Sequence, residues 1–311
     1  MLTFLFACGA TVPSIENAPE LPADLVVEVV LPVSDGVLAL GRLAGPPTEP
    51  VASRRLGGVA ILGGRSIPAF RDEPGWIIAA DARDGEVWVV RAVGRADKSG
   101  SDYDLRVSED GGRTWAPRGA VPAGSLTHVE IAGGGRGWVM GAGVLLRTDD
   151  GGASWVSADA PGRRRGWVDD IGASDRDHLV IGGPFPQATA DGGLGWTRIG
   201  DLEVTATDGR FVAALDGGVR VGRVDGAAIR WAGLHPGAWR ADALTSRGDE
   251  VWVRAAALDA ARAPIVLHST DGGATFAVLS TRGATATASV GLGRDGAVWQ
   301  VDVRRNLRRL R

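Results

Sequence analysis

One pattern, written four times, limits what this chain can fold into. The copies are Ser108-Glu-Asp110-Gly-Gly-Arg-Thr114-Trp115, Thr148-Asp-Asp150-Gly-Gly-Ala-Ser154-Trp155, Thr189-Ala-Asp191-Gly-Gly-Leu-Gly195-Trp196 and Ser269-Thr-Asp271-Gly-Gly-Ala-Thr275-Phe276. Each has a hydroxyl two places before the Asp, Gly-Gly after it, and an aromatic ring five places after it. The aspartates fall at 110, 150, 191 and 271, so the gaps are 40, 41 and 80. The double gap calls for a worn copy in between, and Asp225-Gly226 followed by Trp231 stands there. A fixed period of this length marks a chain of small units, each burying its core against its neighbours.

The chemistry of the pattern is that of a hairpin turn. Asp-Gly-Gly supplies the positive φ values of a tight turn, and the carboxylate accepts backbone N–H groups across it. The preceding hydroxyl adds a local bond, and the aromatic ring opens the returning strand and buries against the neighbouring sheet. Strand-like runs recur around the turns: Thr127–Ala132, Gly137–Met140 and Val144–Arg147 precede Asp150, and Trp155 opens a fourth. Four short strands per roughly 40 residues describe a propeller blade. First strands are read near Trp76, His128, Trp167, Glu203, Ala241 and Thr285. The expected fold is all-β, a propeller of four-stranded blades with the Asp-Gly-Gly hairpins between third and fourth strands. Residues 24–311 make the propeller, with about 41 residues per blade for seven blades or about 48 for six, and seven fits the period better. Residues 1–23 are a leader and tether. The last blade, from Thr285 to Leu310, has three strands, and Leu25–Leu31 is expected to complete it and so remove an open edge. Gly36 to Asp72 then becomes a degenerate seventh blade.

Composition excludes several classes. A net charge of −3 leaves no electrostatic footprint for nucleic acid. No apolar run reaches the roughly 18 residues of a membrane-spanning helix. The single cysteine, Cys8, rules out an intrachain disulfide. It closes Leu5-Phe6-Ala7-Cys8, which resembles a bacterial lipoprotein cleavage box. Lipidation at Cys8 and export to the periplasm or cell surface are therefore expected, with the membrane touched only through that anchor. The four histidines (His128, His178, His235, His268) are scattered without ligand spacing, so neither a metal nor a cofactor is expected.

The repeated turn is similar to the Asp box, or bacterial neuraminidase repeat. The blade Gly137-Trp138-Val139-Met140-Gly141 to Thr148-Asp-Asp-Gly-Gly-Ala-Ser-Trp155 most resembles photosystem II stability/assembly factor-like propellers. That resemblance implies a non-enzymatic, exported scaffold that holds a partner protein. Sialidases share the repeat, and there the resemblance implies an arginine cluster and a Tyr nucleophile. The nearest counterparts are Gly64-Arg65-Ser66-Ile67-Pro68, out of register, and Tyr103, the sole tyrosine. A glycoside hydrolase is the alternative reading, for which Asp169 and Asp170 are the best-placed carboxylates because innermost strands line the channel.

Blade topology also sorts charge. Turns joining strands 1–2 and 3–4 share one face, and the aspartates gather there. Loops on the opposite face carry the arginines, and Arg163, Arg164 and Arg165, with Arg118 and Arg240, form the candidate binding face. Clustered guanidinium groups suit carboxylate or phosphate, so a protein partner or another anionic ligand is expected, held by a monomer.

Overall fold

The structure is a computed structural model that describes residues 20–45, 55–95, 101–141, 143–158, 170–258, 264–279, 289–301 and 307–310. No helix occurs among them; 27 strands form seven antiparallel sheets, each made of strands consecutive in the chain. Blade 1 holds β1 (Leu25–Val33), β2 (Gly36–Leu43), β3 (Arg55–Leu62) and β4 (Arg65–Pro74). Blade 2 holds β5 (Trp76–Arg83), β6 (Glu86–Gly94), β7 (Ser101–Ser108) and β8 (Ala116–Ala120). Blade 3 holds β9 (Leu126–Gly133), β10 (Arg136–Gly141), β11 (Val144–Thr148) and β12 (Val156–Ser157). In blade 4 the strands shorten to β13 (Ile171–Ala173), β14 (Leu179–Ile181), β15 (Gln187–Thr189) and β16 (Thr197–Arg198). Blade 5 is built from β17 (Val204–Thr207), β18 (Phe211–Leu215), β19 (Gly218–Asp225) and β20 (Ala228–Pro236). Blade 6 has β21 (Trp239–Arg247), β22 (Glu250–Ala257), β23 (Ile265–Ser269) and β24 (Ala277–Leu279). Blade 7 has β25 (Ser289–Leu292), β26 (Val298–Val301) and β27 (Leu307–Arg309).

The first strands touch one another in sequence and β25 returns to β1, so the seven blades close a ring around a channel. Between each adjacent pair of blades lies one apolar cluster. The recurring anchor is a second-strand tryptophan: Trp88, Trp138, Trp252 and Trp299 are all fully buried. A buried Trp removes about 150–250 Å² from water, worth roughly 4–6 kcal/mol at 25 cal/mol/Å².

Closure differs from the sequence expectation. Leu25–Val33 does not complete the last blade; it pairs with β2, Leu25 opposite Leu43 and Val33 opposite Gly36. The two-residue Ser34-Asp35 turn ahead of Gly36 joins the two strands into a tight hairpin, a local pairing that needs no long loop to close. Blade 1 is thus a full four-stranded blade, and blade 7 has three strands among the described residues. The ring is sealed by packing instead: Leu21, Leu25 and Val30 share a core with Trp299, Val301 and Leu307.

Candidate functional site

The four Asp-Gly-Gly turns all join third to fourth strands and share one bond pattern. In blade 3, Thr148 Oγ1 donates to Asp150 Oδ1 at 2.7 Å and accepts from Gly152 N at 2.9 Å. Asp150 Oδ1 accepts from Ser154 N at 2.8 Å, and Oδ2 accepts from the Ser154 hydroxyl at 2.6 Å. Ser108, Asp110 and Thr114 repeat this set, as do Ser269, Asp271 and Thr275. Around Asp191 the Thr189 hydroxyl and the Leu194 and Gly195 amides make the equivalent bonds. Bonds from the Ser154 hydroxyl and amide hold the Asp150 carboxyl at about 2, and those from Thr275 do the same for Asp271. At Asp110 partial burial works the other way, but the Thr114 and Ser108 donors outweigh it and the carboxyl again falls to about 2. The first glycine of each turn donates to the strand 1–2 turn of its own blade, as Gly151 N does to Gly135 O at 2.8 Å, so both turns lie on one face. The rings pack toward the preceding blade: Trp115 lies 4.7 Å from Phe70, and Trp155, Trp196 and Phe276 join the adjoining interblade clusters.

The channel is walled by the first strands, and their polar side chains stitch neighbouring blades together. Asp81 Oδ2 accepts from Ile131 N at 2.8 Å, Glu130 Oε1 from Ala173 N at 2.8 Å, and Asp170 Oδ2 from Thr207 N at 2.8 Å. Each bond runs from one blade to the next. Arg294, on the strand 1–2 turn of blade 7, crosses to blades 2 and 3: its Nη2 lies 2.6 Å from Glu130 Oε1 and 3.2 Å from Asp81 Oδ2. Arg83 donates to Ile131 O at 2.9 Å and to Ser174 O at 2.9 Å. Burial is the main influence on Glu130 and raises its carboxyl, with Arg294 opposing; Glu130 and Asp81 in turn overcome burial and raise Arg294 above its ordinary range. Beyond this latch the channel opens as a cavity of about 330 Å³, with Asp170, Asp242, His128 and Arg254 among its lining. Burial pushes Asp170 up to about 7. Its Oδ1 lies 3.8 Å from His128 Nε2, while Asp242 Oδ1 accepts from Arg254 Nε at 2.7 Å. Carboxylates therefore do meet in the channel, and among the described residues no Trp, Tyr or Phe lines this cavity.

Other expected residues disperse. Cys8, Asp169 and Arg163–Arg165 lie outside the described residues. Arg118 departs from the expected basic face: its guanidinium returns to Glu109, beside the Asp110 turn. It stands on β8 only a few residues past that turn, and its long side chain reaches back along the strand. Arg240, at the start of β21, lies 3.7 Å from Glu203. Tyr103 sits on β7, a third strand, where its hydroxyl accepts from Ser125 N at 3.1 Å, away from the channel. Among the described residues no three potential metal ligands gather.

Sequence reasoning missed the Arg294 latch. The available signal was a lone acid inside an otherwise apolar inner strand, as in Ala80-Asp81-Ala82 and Val129-Glu130-Ile131.

No family model matches the chain, and no curated protein matches it in sequence. Solved structures do match. "YCF48 bound to D1 peptide" superposes with a TM-score of 0.55 at 17% identity, covering 93% of this chain and 94% of that one. YCF48 from Cyanidioschyzon merolae gives 0.55 at 14% identity, over 91% and 98%. A putative 6-phosphogluconolactonase from Bacteroides fragilis gives 0.53 at 9%, over 86% and 88%. At such identities the likeness concerns fold and not chemistry. Seven antiparallel sheets in a closed ring, matched nearly end to end by these structures, make the chain a seven-bladed β-propeller.

Proposed function

We propose that this propeller is a non-enzymatic, exported scaffold that holds a partner protein, and that its four Asp-Gly-Gly turns are Asp boxes with a structural role. The observation that carries this reading is the state of the channel, where a propeller hydrolase would present free carboxylates. Here Asp81, Glu130 and Asp170 each accept a neighbouring blade's amide, and Arg294 sits across the first two. Groups bound in this way serve the ring more readily than a substrate. The box aspartates have both oxygens engaged within their own turns in three of the four copies. A structure of the same fold is recorded with a peptide bound, which supports a protein as the class of partner.

In this reading Cys8 carries a lipid anchor, and the loops opposite the turns, with Arg163–Arg165, meet an anionic patch on the partner. A tagged, membrane-anchored form should capture one protein reproducibly. Changing Arg163, Arg164 and Arg165 together to Glu should abolish capture with little change in melting temperature, because exposed substitutions usually move stability by only about 0.5 kcal/mol. Capture should also weaken with salt, since exposed charges are screened beyond about 8 Å at physiological ionic strength. Undiminished capture by the triple variant would remove the basic face from the proposal. Failure of a palmitate analogue to label Cys8 in cells would remove the anchor. Turnover of glycoside substrates that is lost on Asp170→Asn would restore the hydrolase reading.

A further inference from the structure

The worn repeat leaves a gap that the other repeats fill. In each complete turn the second glycine settles onto the blade before it. A Cβ built on Gly112 would lie 2.5 Å from Leu38 of blade 1, one on Gly152 would lie 2.4 Å from Leu105 of blade 2, and one on Gly273 would lie 2.6 Å from Val221 of blade 5. Gly193 approaches Ala158, just past the last strand of blade 3, in the same manner at 3.0 Å. Blade 5 has no such turn. Its β19 and β20 are joined by Gly226-Ala227 alone, with Asp225 paired to Ala228, so no turn reaches back over blade 4. Trp231 still packs into the blade 4–5 core, so the ring of the motif persists where its loop does not.

A cleft of about 700 Å³ stands in that place, within the range of ligand-binding pockets. Its lining includes Ala188, Trp196 and Thr197 of blade 4 and Arg210 and Arg223 of blade 5, with His178 at the side. The one acid in the lining is Asp191, whose Oδ1 accepts from the Leu194 and Gly195 amides and the Thr189 hydroxyl. Arg223 lies 3.2 Å from Asp249, and Arg210 is exposed. Ser174 and Arg210 also line a second cavity, of about 440 Å³, that includes Arg83 and Arg294 at the turn-face end of the channel.

We infer that the cleft between blades 4 and 5 is a binding site for an acidic, glycine-bearing turn of a partner protein. Such a segment would lie on Ala188 and Thr197 as the Asp-Gly-Gly turns lie on the preceding blades elsewhere in the ring. Its glycine meets the close approach that a Cβ forbids, and its carboxylate meets Arg210 and Arg223. That the partner is a protein rests on the scaffold reading above; that the cleft accepts such a turn does not, and the two are tested apart.

The probe is a fluorescein-labelled, disulfide-cyclised peptide carrying the chain's own Ser-Thr-Asp-Gly-Gly-Ala-Thr-Phe segment, titrated with the full-length protein by anisotropy. Saturable binding is expected. It should fall about tenfold or more when Arg210 and Arg223 are both changed to Glu, the loss of about 1.4 kcal/mol of interaction. It should fall likewise when the peptide's Gly-Gly is replaced by Val-Val. Grafting residues 271–276 in place of Gly226-Ala227 should fill the cleft, abolish binding and raise the melting temperature. Thr197→Trp, on an exposed strand position, blocks the same space without altering a turn and should also abolish binding, which covers the case of a graft that does not fold. Absence of saturable binding, or binding that survives Thr197→Trp, overturns the inference. Because binding is read on purified protein, capture from cells can fail without touching this result, and the reverse also holds.

Discussion

Replacing Arg294 by Met tests the most consequential contact in the channel. The guanidinium spans from blade 7 to blades 2 and 3 and contacts two carboxylates, at 2.6 Å and 3.2 Å. Glu130 is only 6% exposed, so the substitution strands a buried carboxylate whose remaining partner is the Ala173 amide. Breaking a buried pair costs about 3–5 kcal/mol when a charge is left behind, and Glu130, whose carboxyl burial already raises, escapes part of that by taking up a proton. The Arg294 side chain is 28% exposed, so water reaches the site and the lower end, about 3 kcal/mol, is expected. Glu130→Gln should cost less, because the carboxamide oxygen can still accept from Ala173. The double variant Arg294→Met with Glu130→Gln should then be milder than the sum of the two, with a coupling energy of about 1–2 kcal/mol. Urea titrations followed by Trp fluorescence measure all three, with the slope checked for constancy. Additive costs, or a loss below about 0.5 kcal/mol for Arg294→Met, would refute the latch as a contributor to ring closure.

Gly152→Ala should destabilise blade 3 clearly, since the position has φ +92° and its new Cβ would meet Leu105 at 2.4 Å; strain of this kind is worth about 1–3 kcal/mol, and a melting curve within error of the parent's would contradict it. Asp150→Ala should lower the melting temperature by removing the acceptor of the Ser154 amide and hydroxyl, and any change in partner capture should not exceed that loss of folding. Because Asp110, Asp150 and Asp271 have carboxyls depressed to about 2, their stabilisation is full above about pH 4 and is lost as pH falls through 2. Variants with two boxes neutralised should show a shallower acid transition. Asp170 runs the other way. Burial raises it from 3.8 to about 7, so the native state keeps a proton that the unfolded chain releases, and stability falls as pH rises from about 4 to 7. Asp170→Asn should flatten that slope and gain up to about 4 kcal/mol at pH 8 relative to pH 4, whereas parallel curves for the two proteins would refute it.

The architecture was legible because each blade announces itself locally. A turn such as Thr148–Trp155 encodes its own geometry within eight residues, and its recurrence near 40 residues sets the number of units. Strand positions follow from the same register, and so does the shared face of the turns. Closure was misread because Leu25–Leu31 is apolar enough to serve either end of the ring, and only the short Ser34-Asp35 turn decides for β2. The basic face was read from loop positions alone. Arg118 departs from it: its guanidinium meets Glu109, and a Cβ on Gly152, in the turn of the next blade, would lie 3.6 Å from the Arg118 Cβ.

By itself the sequence determined the repeat, its turn chemistry, the all-β class and the place of the worn copy at Asp225. All of these rest on contacts between residues a few positions apart. The tertiary structure decided the rest. Arg294 meets carboxylates 164 and 213 positions away, a pairing that no local pattern reports. The cleft lies beside the short Gly226-Ala227 turn of blade 5, and the size and lining of such a space depend on how two blades pack, which only the folded ring sets.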